Sequence, residues 1–274
     1  MKALVTGHKG YIGSHLFKAL IGHRKIDTIL GIDLQDGDDI LHCLPDKDFD
    51  VVFHFAAFPR VEYSVLNPSY TFRQNALVTS VLLDWCRKHN VKKFIFSSSS
   101  AIMGDGDGVP KSPYGAQKLM SEIECNLYRD LYGIQTTCLR YFNAYSEDQP
   151  YGGAYTTAIS AWMEMLKTGQ HLRIDGDGEQ TRDFVHVDDI VSANLLAMER
   201  DDMNDNHYDV GYGKSYSLNH VKNFIDQHHT VSWDHASERK GDARDTLANI
   251  NPLKKKGWKP SVDFDQGLGR CFTL

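Results

Sequence analysis

The sequence predicts an α/β protein with a Rossmann-type doubly wound parallel sheet and a smaller interwoven domain. Strand-like apolar runs alternate with amphipathic, helix-like segments through the first half of the chain. The first run ends at Thr6 and is followed at once by closely spaced glycines, and the second run ends on the acid Asp33. This combination is typical of parallel strands that are joined by crossover helices and bind a ligand at their carboxyl ends.

The individual elements follow from hydrophobic periodicity. Five strand-like runs precede residue 143, and three helical patterns lie between them; the strands are predicted at 2–6, 28–33, 51–57, 93–98 and 134–141, and the helices near 11–23, 76–89 and 114–132. Beyond residue 143 the alternation breaks down. An amphipathic helix is predicted at 156–168, a Gly-Asp-Gly turn at 176–178, and a further sheet-covering helix from about 188.

The glycine-rich segment after the first strand predicts a phosphate-binding turn. Gly7 permits the tight turn, Gly10 lets the backbone approach a pyrophosphate, and Gly13 allows close packing of helix on strand. The helix that follows supplies free N–H groups and the positive end of its dipole. Asp33 lies about 20 residues further on, where a carboxylate accepts hydrogen bonds from ribose hydroxyls and repels a 2′-phosphate. The sequence therefore predicts NAD rather than NADP as the cofactor.

These signals also predict two interwoven domains. The NAD-binding domain is expected to comprise 1–143 plus about 182–210, and the second domain about 144–181 plus 211–274. Functional side chains at the carboxyl ends of the strands are then expected to converge on one edge of the sheet.

Composition narrows the classes of partner and compartment. The chain has 274 residues, 41% of them hydrophobic and 24% charged, with a net charge of −6. Without a basic arm or stripe, nucleic acid is not expected as a partner, and no run of the sequence is long and apolar enough to suggest a membrane span. Five cysteines form no C-x-x-C pair and no metal-ligand spacing is present, so we expect free thiols, a reducing cytoplasm and no metal.

A tyrosine and a lysine are predicted to share one face of a helix. Ser112 and Pro113 form a helix start, as N-cap and first helical residue, so Tyr114 and Lys118 project together from the first turns. An ammonium beside a phenol lowers the pKa of the phenol. Tyr114 is therefore expected to act as a base that removes a proton from an alcohol.

Several motifs together resemble those of the extended short-chain dehydrogenase/reductases, specifically nucleotide-sugar 4-epimerases of the UDP-glucose/UDP-galactose type. The motifs span nearly the whole chain: T-G-H-K-G-Y-I-G-S-H (6–15), H-F-A-A (54–57), F-S-S-S-S-A (96–101), S-P-Y-G-A-Q-K (112–118), L-R-Y-F-N (139–143), G-D-G-E-Q-T-R-D-F-V-H-V-D-D (176–189) and G-W-K-P (257–260). Met103 departs from the pattern, since the family usually has a tyrosine there.

The resemblance implies epimerisation at C4 of a nucleotide sugar through a transient 4-keto intermediate, with NAD regenerated in each cycle. Ser99, Tyr114 and Lys118 are the implied catalytic set, with Ser99 favoured over its neighbour Ser98. The implied cofactor-binding residues are Gly7, Gly10, Tyr11, Ile12, Gly13, Asp33, Phe55, Ala56, Ala57, Asn75, Ser97, Tyr114, Lys118 and Tyr141. The implied substrate-binding residues are Ser99, Asn143, Thr157, Arg182, Arg239, Asp242 and Thr246.

Within this set, Arg182 and Arg239 are expected to bind the diphosphate, since a guanidinium fork suits phosphate oxygens. Thr246 is expected beside the C2 substituent of the sugar. Because Thr246 is small, the resemblance implies room for an N-acetyl group; alternatively, Thr246 starts a strand at 247–250 and faces away.

A homodimer is also implied, because helices 76–89 and 114–132 carry apolar residues on more than one side and form an intersubunit bundle in the family.

Other activities stay open on this sequence. A sugar-nucleotide 4,6-dehydratase or a uronate decarboxylase needs an acid after the catalytic hydroxyl, whereas Ser100 and Ala101 follow Ser99. A UDP-uronate 4-epimerase needs only the same three catalytic residues and a pocket that accepts a carboxylate. A non-catalytic NAD-binding regulator is the alternative from another class, although such proteins typically lose the tyrosine or the lysine, and both are present here.

Overall fold

The computed structural model describes residues 1–104, 106–152, 156–203, 207–238 and 243–273. Within these ranges eleven strands and ten α-helices follow one another along the chain. The strands are β1 Lys2–Thr6, β2 Thr28–Ile32, β3 Val51–His54, β4 Lys93–Ser99, β5 Gln135–Tyr141, β6 Asn143–Tyr145, β7 Leu172–Asp175, β8 Thr181–His186, β9 Tyr208–Val210, β10 Ser215–Ser217 and β11 Trp233–Ala236. The helices are α1 Tyr11–Leu20, α2 Val61–Leu66, α3 Pro68–Phe72, α4 Val78–Lys88, α5 Pro113–Tyr132, α6 Ala158–Thr168, α7 Val187–Glu199, α8 Leu218–His228, α9 Asn251–Lys255 and α10 Phe264–Phe272.

The main sheet confirms the predicted fold class. Its six strands run in the order β2-β1-β3-β4-β5-β9, and every neighbouring pair is parallel. The order reverses between β1 and β3, because the chain moves outward from β1 to β2 and then returns to the other side of β1. Ligands of such sheets bind at this switch point, beside the carboxyl ends of the strands.

Both faces of the main sheet are covered, which is why its strands read as nearly continuous apolar runs. One core cluster packs α1 and α7 against the sheet, and a second packs α4 and α5 against the opposite face. In α4, the residues Val78, Leu82 and Trp85 are buried in this second cluster. These three side chains therefore cover the sheet.

The remaining strands form two small sheets around a third core cluster. β8 pairs with β6 in parallel and with β10 in antiparallel, and β11 pairs with β7 in parallel. The third cluster includes Trp162 of α6, Phe184 of β8 and Phe264 of α10. The chain from 247 to 250 forms no strand. The domain boundaries given above stay a prediction.

The local sequence explains the long helix that carries the Tyr-Lys pair. The Ser112 hydroxyl accepts a hydrogen bond from the Gly115 N–H at 3.2 Å, Pro113 occupies the first turn, and Gly133 ends the helix in the left-handed conformation with φ 73°. Among the described residues, no helix is both long and apolar enough to span a membrane.

Candidate active site

The glycine-rich turn between β1 and α1 is closed so tightly that side chains are excluded. Gly7 has φ 73°, and a Cβ on it would lie 2.6 Å from the Ala56 nitrogen. A Cβ on Gly13 would collide with the Gly7 carbonyl oxygen. The first helical hydrogen bond runs from the Ser14 N–H to the Gly10 carbonyl, so the N–H groups of Tyr11, Ile12 and Gly13 precede it. The turn therefore fits the phosphates of a dinucleotide.

Asp33 joins the end of β2 to this turn. The buried carboxylate accepts hydrogen bonds from the Lys9 N–H through Oδ2 and from the Gln35 N–H through Oδ1, both at 2.9 Å. It also caps the 3-10 turn Leu34–Asp36, so the expected ribose acceptor has a structural role as well. The two backbone bonds fix the orientation of its oxygens.

The segment after β3 forms the next part of the edge. Phe55 lies parallel to the Tyr141 ring, with centroids 6.3 Å apart, and the Phe55 and Ala56 N–H groups both donate to the Thr6 carbonyl. Asn75 lies on a π-helical turn, Arg73–Leu77, that the sequence did not predict. Its Oδ1 accepts from the Phe58 N–H at 2.7 Å and its Nδ2 donates to the Phe58 carbonyl at 3.2 Å. Asn75 therefore holds the loop that follows Ala57.

Tyr114, Lys118 and Ser99 come together between β4 and α5. Tyr114 is buried, and its phenol lies near enough to Ser99 for the serine hydroxyl to influence its pKa. The Lys118 ammonium donates to the Ser97 carbonyl at 2.7 Å, and it lies 4.7 Å from the centroid of the Phe96 ring and 6.0 Å from that of Tyr114. The predicted tyrosine, lysine and serine therefore lie at one place, at the carboxyl end of β4.

The expected lowering of the pKa of Tyr114 by Lys118 is not found. Burial raises the pKa of Tyr114 to about 12, and the nearby Ser99 hydroxyl opposes that rise. Burial lowers the pKa of Lys118 to about 8. The physical reason is that the ammonium is directed at the Ser97 carbonyl rather than at the phenol oxygen.

Ser98 belongs to a different network, which sequence reasoning missed. Its hydroxyl donates to Glu122 Oε1 at 2.6 Å, and Glu122 accepts from Arg140 at 2.9 and 2.7 Å. This buried pair joins β4, α5 and β5, and Arg140 also contacts the Met103 sulfur at 3.5 Å. Ser98 is engaged there, whereas Ser99 is the serine at the strand end that lies near Tyr114. A buried arginine in the strand motif L-R-Y was the available signal for a charged partner nearby.

Two further hydroxyls were missed and leave no sequence signal. The Ser64 hydroxyl accepts from the Tyr114 N–H at 3.1 Å, which anchors the first turn of α5 to α2. Tyr11 and Ser146 hydrogen-bond through their hydroxyls at 2.6 Å, across 135 residues of sequence, and Ser146 donates to Asp148 at 2.7 Å. The phosphate turn is thereby tied to the loop after β6.

Two residues that are expected to bind the cofactor, Ser97 and Tyr141, lie close behind this edge. Ser97 and Tyr141 share a hydroxyl contact of 3.3 Å, and Tyr141 also bonds to Asn194 of α7. The residues that are expected to bind the substrate are more widely spread. Asn143 Nδ2 donates to the Asp183 carbonyl at 3.0 Å and to the Thr246 hydroxyl at 3.3 Å. The Thr246 hydroxyl therefore faces Asn143 and also accepts from the Asp183 N–H at 3.3 Å.

Two other predicted substrate residues, Thr157 and Arg182, form hydrogen bonds with neighbouring groups of the protein. Thr157 caps α6 in a capping box and donates to Gln149 at 3.1 Å. Arg182 donates through Nη1 to the Thr181 and Arg244 carbonyls at 2.9 and 3.0 Å. Arg239 and Asp242 lie outside the described residues.

Comparison with known proteins defines the class. The model of the NAD dependent epimerase/dehydratase family matches residues 3–211. A UDP-glucose 4-epimerase of Halalkalibacterium halodurans is 31% identical over 95% of this chain and 91% of its own length. A UDP-N-acetylglucosamine 4-epimerase of Methanobrevibacter ruminantium, solved with UDP-N-acetylmuramic acid, is 31% identical, with a TM-score of 0.88 over 99% of this chain and 96% of its own.

A UDP-glucuronic acid 4-epimerase of Bacillus cereus, solved with UDP-glucuronic acid and NAD, is 28% identical with a TM-score of 0.89, and the match covers 100% of this chain and 98% of its own. The chain therefore belongs to the NAD dependent epimerase/dehydratase family, which confirms the predicted resemblance and NAD as the cofactor. The glycine-rich turn has no room for a Cβ at Gly7 or Gly13, and its close backbone fits the phosphates of that cofactor.

Proposed function

We propose that this protein is an NAD-dependent nucleotide-sugar 4-epimerase, which inverts C4 of a UDP-sugar of the glucose/galactose type through a transient 4-keto sugar. The observation that carries the proposal is the meeting of Tyr114, Ser99 and Lys118 at the carboxyl end of β4, with Tyr114 and Lys118 buried on the same side of α5. A phenol and a hydroxyl together suit one sugar hydroxyl, because either can donate or accept a proton.

The cofactor is held by the residues at the switch point of the sheet. Gly7, Gly10 and Gly13, with the N–H groups of Tyr11 and Ile12, bind the diphosphate, and Asp33 binds the adenosine ribose. The other end of the cofactor site is bounded by residues that follow β3 and by residues of β4, β5 and α5, together with Asn75. These residues are Phe55, Ala56, Ala57, Asn75, Ser97, Tyr114, Lys118 and Tyr141. When bound, NAD supplies reversible hydride transfer at the sugar C4.

The chain's own residues move the proton. Tyr114 takes the proton from the sugar 4-hydroxyl and later returns it, and Ser99 orients the same oxygen. Lys118 adds a positive charge behind them, 6.0 Å from the Tyr114 ring centroid. The buried position of Tyr114 supports this role, because water is kept from the phenol.

Elimination and decarboxylation are not supported. Each would need an acid next to Ser99, and Ser100–Met103 form a 3-10 turn there with the sequence S-A-I-M. The network of Glu122 and Arg140 lies behind Ser98 and is internally paired, so Glu122 does not replace the missing acid.

The substrate side is formed by Asn143, Thr157, Arg182, Arg239, Asp242 and Thr246. We propose that Thr246 lies beside the C2 substituent of the sugar, where its small size leaves room for an acetamido group. Its contact with Asn143 and the UDP-N-acetylmuramic acid bound by one structural relative support this placement. A UDP-uronate 4-epimerase is the second candidate, supported by the relative that acts on UDP-glucuronic acid.

We also propose a homodimer formed through α5. Four large apolar side chains share one exposed face of this helix, with exposures of 50% for Met120, 51% for Ile123, 50% for Leu127 and 67% for Leu131. A continuous apolar stripe of this kind is typical of a helix–helix interface.

The five described cysteines are unpaired, which supports a reducing cytoplasm as the compartment.

The test is a substrate panel. The protein is incubated with UDP-glucose, UDP-N-acetylglucosamine, UDP-glucuronic acid and GDP-mannose, and the anomeric region is followed by NMR. We expect interconversion of the plain and the N-acetylated UDP-sugars, and Thr246→Tyr should reduce turnover of the N-acetylated pair far more than that of the plain pair. Equal loss on both pairs would contradict the placement of Thr246, and turnover of UDP-glucuronic acid alone would favour the second candidate.

A further inference from the structure

A lysine lies directly beside the acid that is proposed to bind the adenosine ribose. The Lys9 N–H donates to Asp33 Oδ2 at 2.9 Å, so the Lys9 backbone is one hydrogen bond away from this carboxylate. The Lys9 ammonium does not bond to Asp33. It forms an ion pair with Asp36, three residues further along the chain.

A histidine fixes the position of Asp36 from the other side. His8 Nε2 lies 3.4 Å from Asp36 Oδ2. The His8 ring is only 15% exposed, and it packs against Phe17 of α1 with ring centroids 5.0 Å apart. On β2, a Cβ on Gly31 would collide with this ring, so the glycine makes the space for it. The cluster of His8, Lys9, Asp33 and Asp36 is therefore held by packing as well as by charge.

The position of Lys9 matters for the choice of dinucleotide. Asp33 discriminates against NADP because a carboxylate repels a 2′-phosphate. A cation at the same place does the opposite, because a basic side chain near the ribose accommodates the 2′-phosphate. Lys9 is within reach of that phosphate, since its backbone touches Asp33, and an unpaired ammonium there would partly cancel the repulsion by Asp33.

We propose that Asp36 is a cofactor-specificity residue, which binds the Lys9 ammonium and so prevents Lys9 from attracting the 2′-phosphate of NADP. Selectivity for NAD is then set by Asp33 and Asp36 together. The inference rests on the proposed placement of the adenosine ribose at Asp33. Lys9 and Asp36 keep side-chain exposures of 43% and 32%, so the phosphate has access to the ammonium once Asp36 is neutralised.

The experiment measures the bound dinucleotide and not the activity. Purified protein is equilibrated with equal concentrations of NAD and NADP until the bound ratio is constant, free nucleotide is removed, and the dinucleotide released by acid is measured by chromatography. The variants are Asp36→Asn, Lys9→Gln and the double variant, with Asp38→Asn as the matched control. Asp38 carries the same charge two residues further on, so the control separates the loss of the ion pair from the loss of one negative charge.

Asp36→Asn should raise the bound NADP:NAD ratio by about 2- to 5-fold, the size expected for a partly exposed ion pair. Asp38→Asn should change it by less than about 2-fold, a general charge effect that salt screens. Adding Lys9→Gln to Asp36→Asn should return the ratio to that of Lys9→Gln alone, because the ammonium is the group that attracts the phosphate.

Two outcomes would overturn the inference: an equal effect of Asp36→Asn and Asp38→Asn, or a gain from Asp36→Asn that persists without Lys9. Asp33→Ser separates this failure from that of the proposed site. It should raise the NADP:NAD ratio whatever the role of Asp36, so an unchanged ratio in Asp33→Ser would mean that the ribose does not bind there. Thermal unfolding of each variant confirms that the compared proteins are folded.

Discussion

Lys118 is a buried cation without a directly bonded carboxylate. Its ammonium contacts the Ser97 carbonyl and the face of Phe96, and burial lowers its pKa to about 8. Burial also disfavours the charged form of the neighbouring Tyr114, so it keeps the phenol neutral and raises its pKa to about 12. The site thus places two ionisable side chains, Tyr114 and Lys118, in a poorly solvated position. This burial is costly for folding and is typical of functional sites.

The cost predicts how stability depends on pH. Between pH 8 and the ordinary lysine pKa of 10.5, the unfolded chain holds a proton at Lys118 that the folded chain has lost. The burial of Lys118 therefore lowers the free energy of unfolding below pH 8, and this loss is recovered as the pH rises towards 10.5. Relative to Lys118→Met, the unmodified protein should gain about 1–3 kcal/mol in free energy of unfolding between pH 7 and pH 10.

Urea unfolding of NAD-free protein at several pH values measures this difference. Lys255→Met is the matched control, because Lys255 lies on the exposed face of α9. Its difference from the unmodified protein should stay constant with pH. A constant difference for Lys118→Met as well would show that burial does not penalise the charge of Lys118.

At the level of elements, the strands and long helices were predictable because their signals are local. The run Lys2–Thr6 has an apolar centre and is followed directly by Gly7, and Ser112 with Pro113 starts α5 within one residue of the prediction. Parallel strands buried on both faces and capped helices leave such patterns in consecutive residues. The π-helical turn at 73–77 leaves none, because it differs from an α-helix only in the register of its hydrogen bonds.

The site was predictable in part for the same reason. Tyr114 and Lys118 are four residues apart, so their neighbourhood follows from helical geometry. The network of Ser98, Glu122 and Arg140 joins β4, α5 and β5 across sequence separations of 18 and 24 residues. The arginine in L-R-Y indicates that a charged partner lies nearby, but no local pattern identifies Glu122 or Ser98 as the partners, which become visible only when the three elements pack. This network fixes α5 against β4, and so fixes Tyr114 against Ser99.

At the scale of the whole molecule, the account predicts that α5 mediates self-association. Leu127 lies at the middle of the exposed stripe formed by Met120, Ile123, Leu127 and Leu131. Leu127→Glu should convert the dimer into a monomer, because a buried unpaired carboxylate is costly in an apolar interface. Light scattering should then give a mass near 31.0 kDa for the variant and about twice that for the unmodified protein.

Ile21→Glu provides the control for this experiment. Ile21 is 62% exposed after α1 and lies outside the stripe, so its replacement should leave the mass of the dimer unchanged. A mass of one chain for the unmodified protein at micromolar concentration would contradict the proposed interface.

The central claim is that Tyr114 and Ser99 serve an oxidation and reduction at the sugar C4, and proton NMR in D2O tests it most directly. The reaction is run on the UDP-sugar that the panel identifies, with Tyr114→Phe and, as control, Tyr132→Phe, which is exposed on the same helix. The account predicts an inverted product that retains its original hydrogen at C4, and a loss of about 10²–10⁴-fold in rate for Tyr114→Phe alone. Deuterium at C4 of the product, or more than about a third of the rate in Tyr114→Phe, would contradict it.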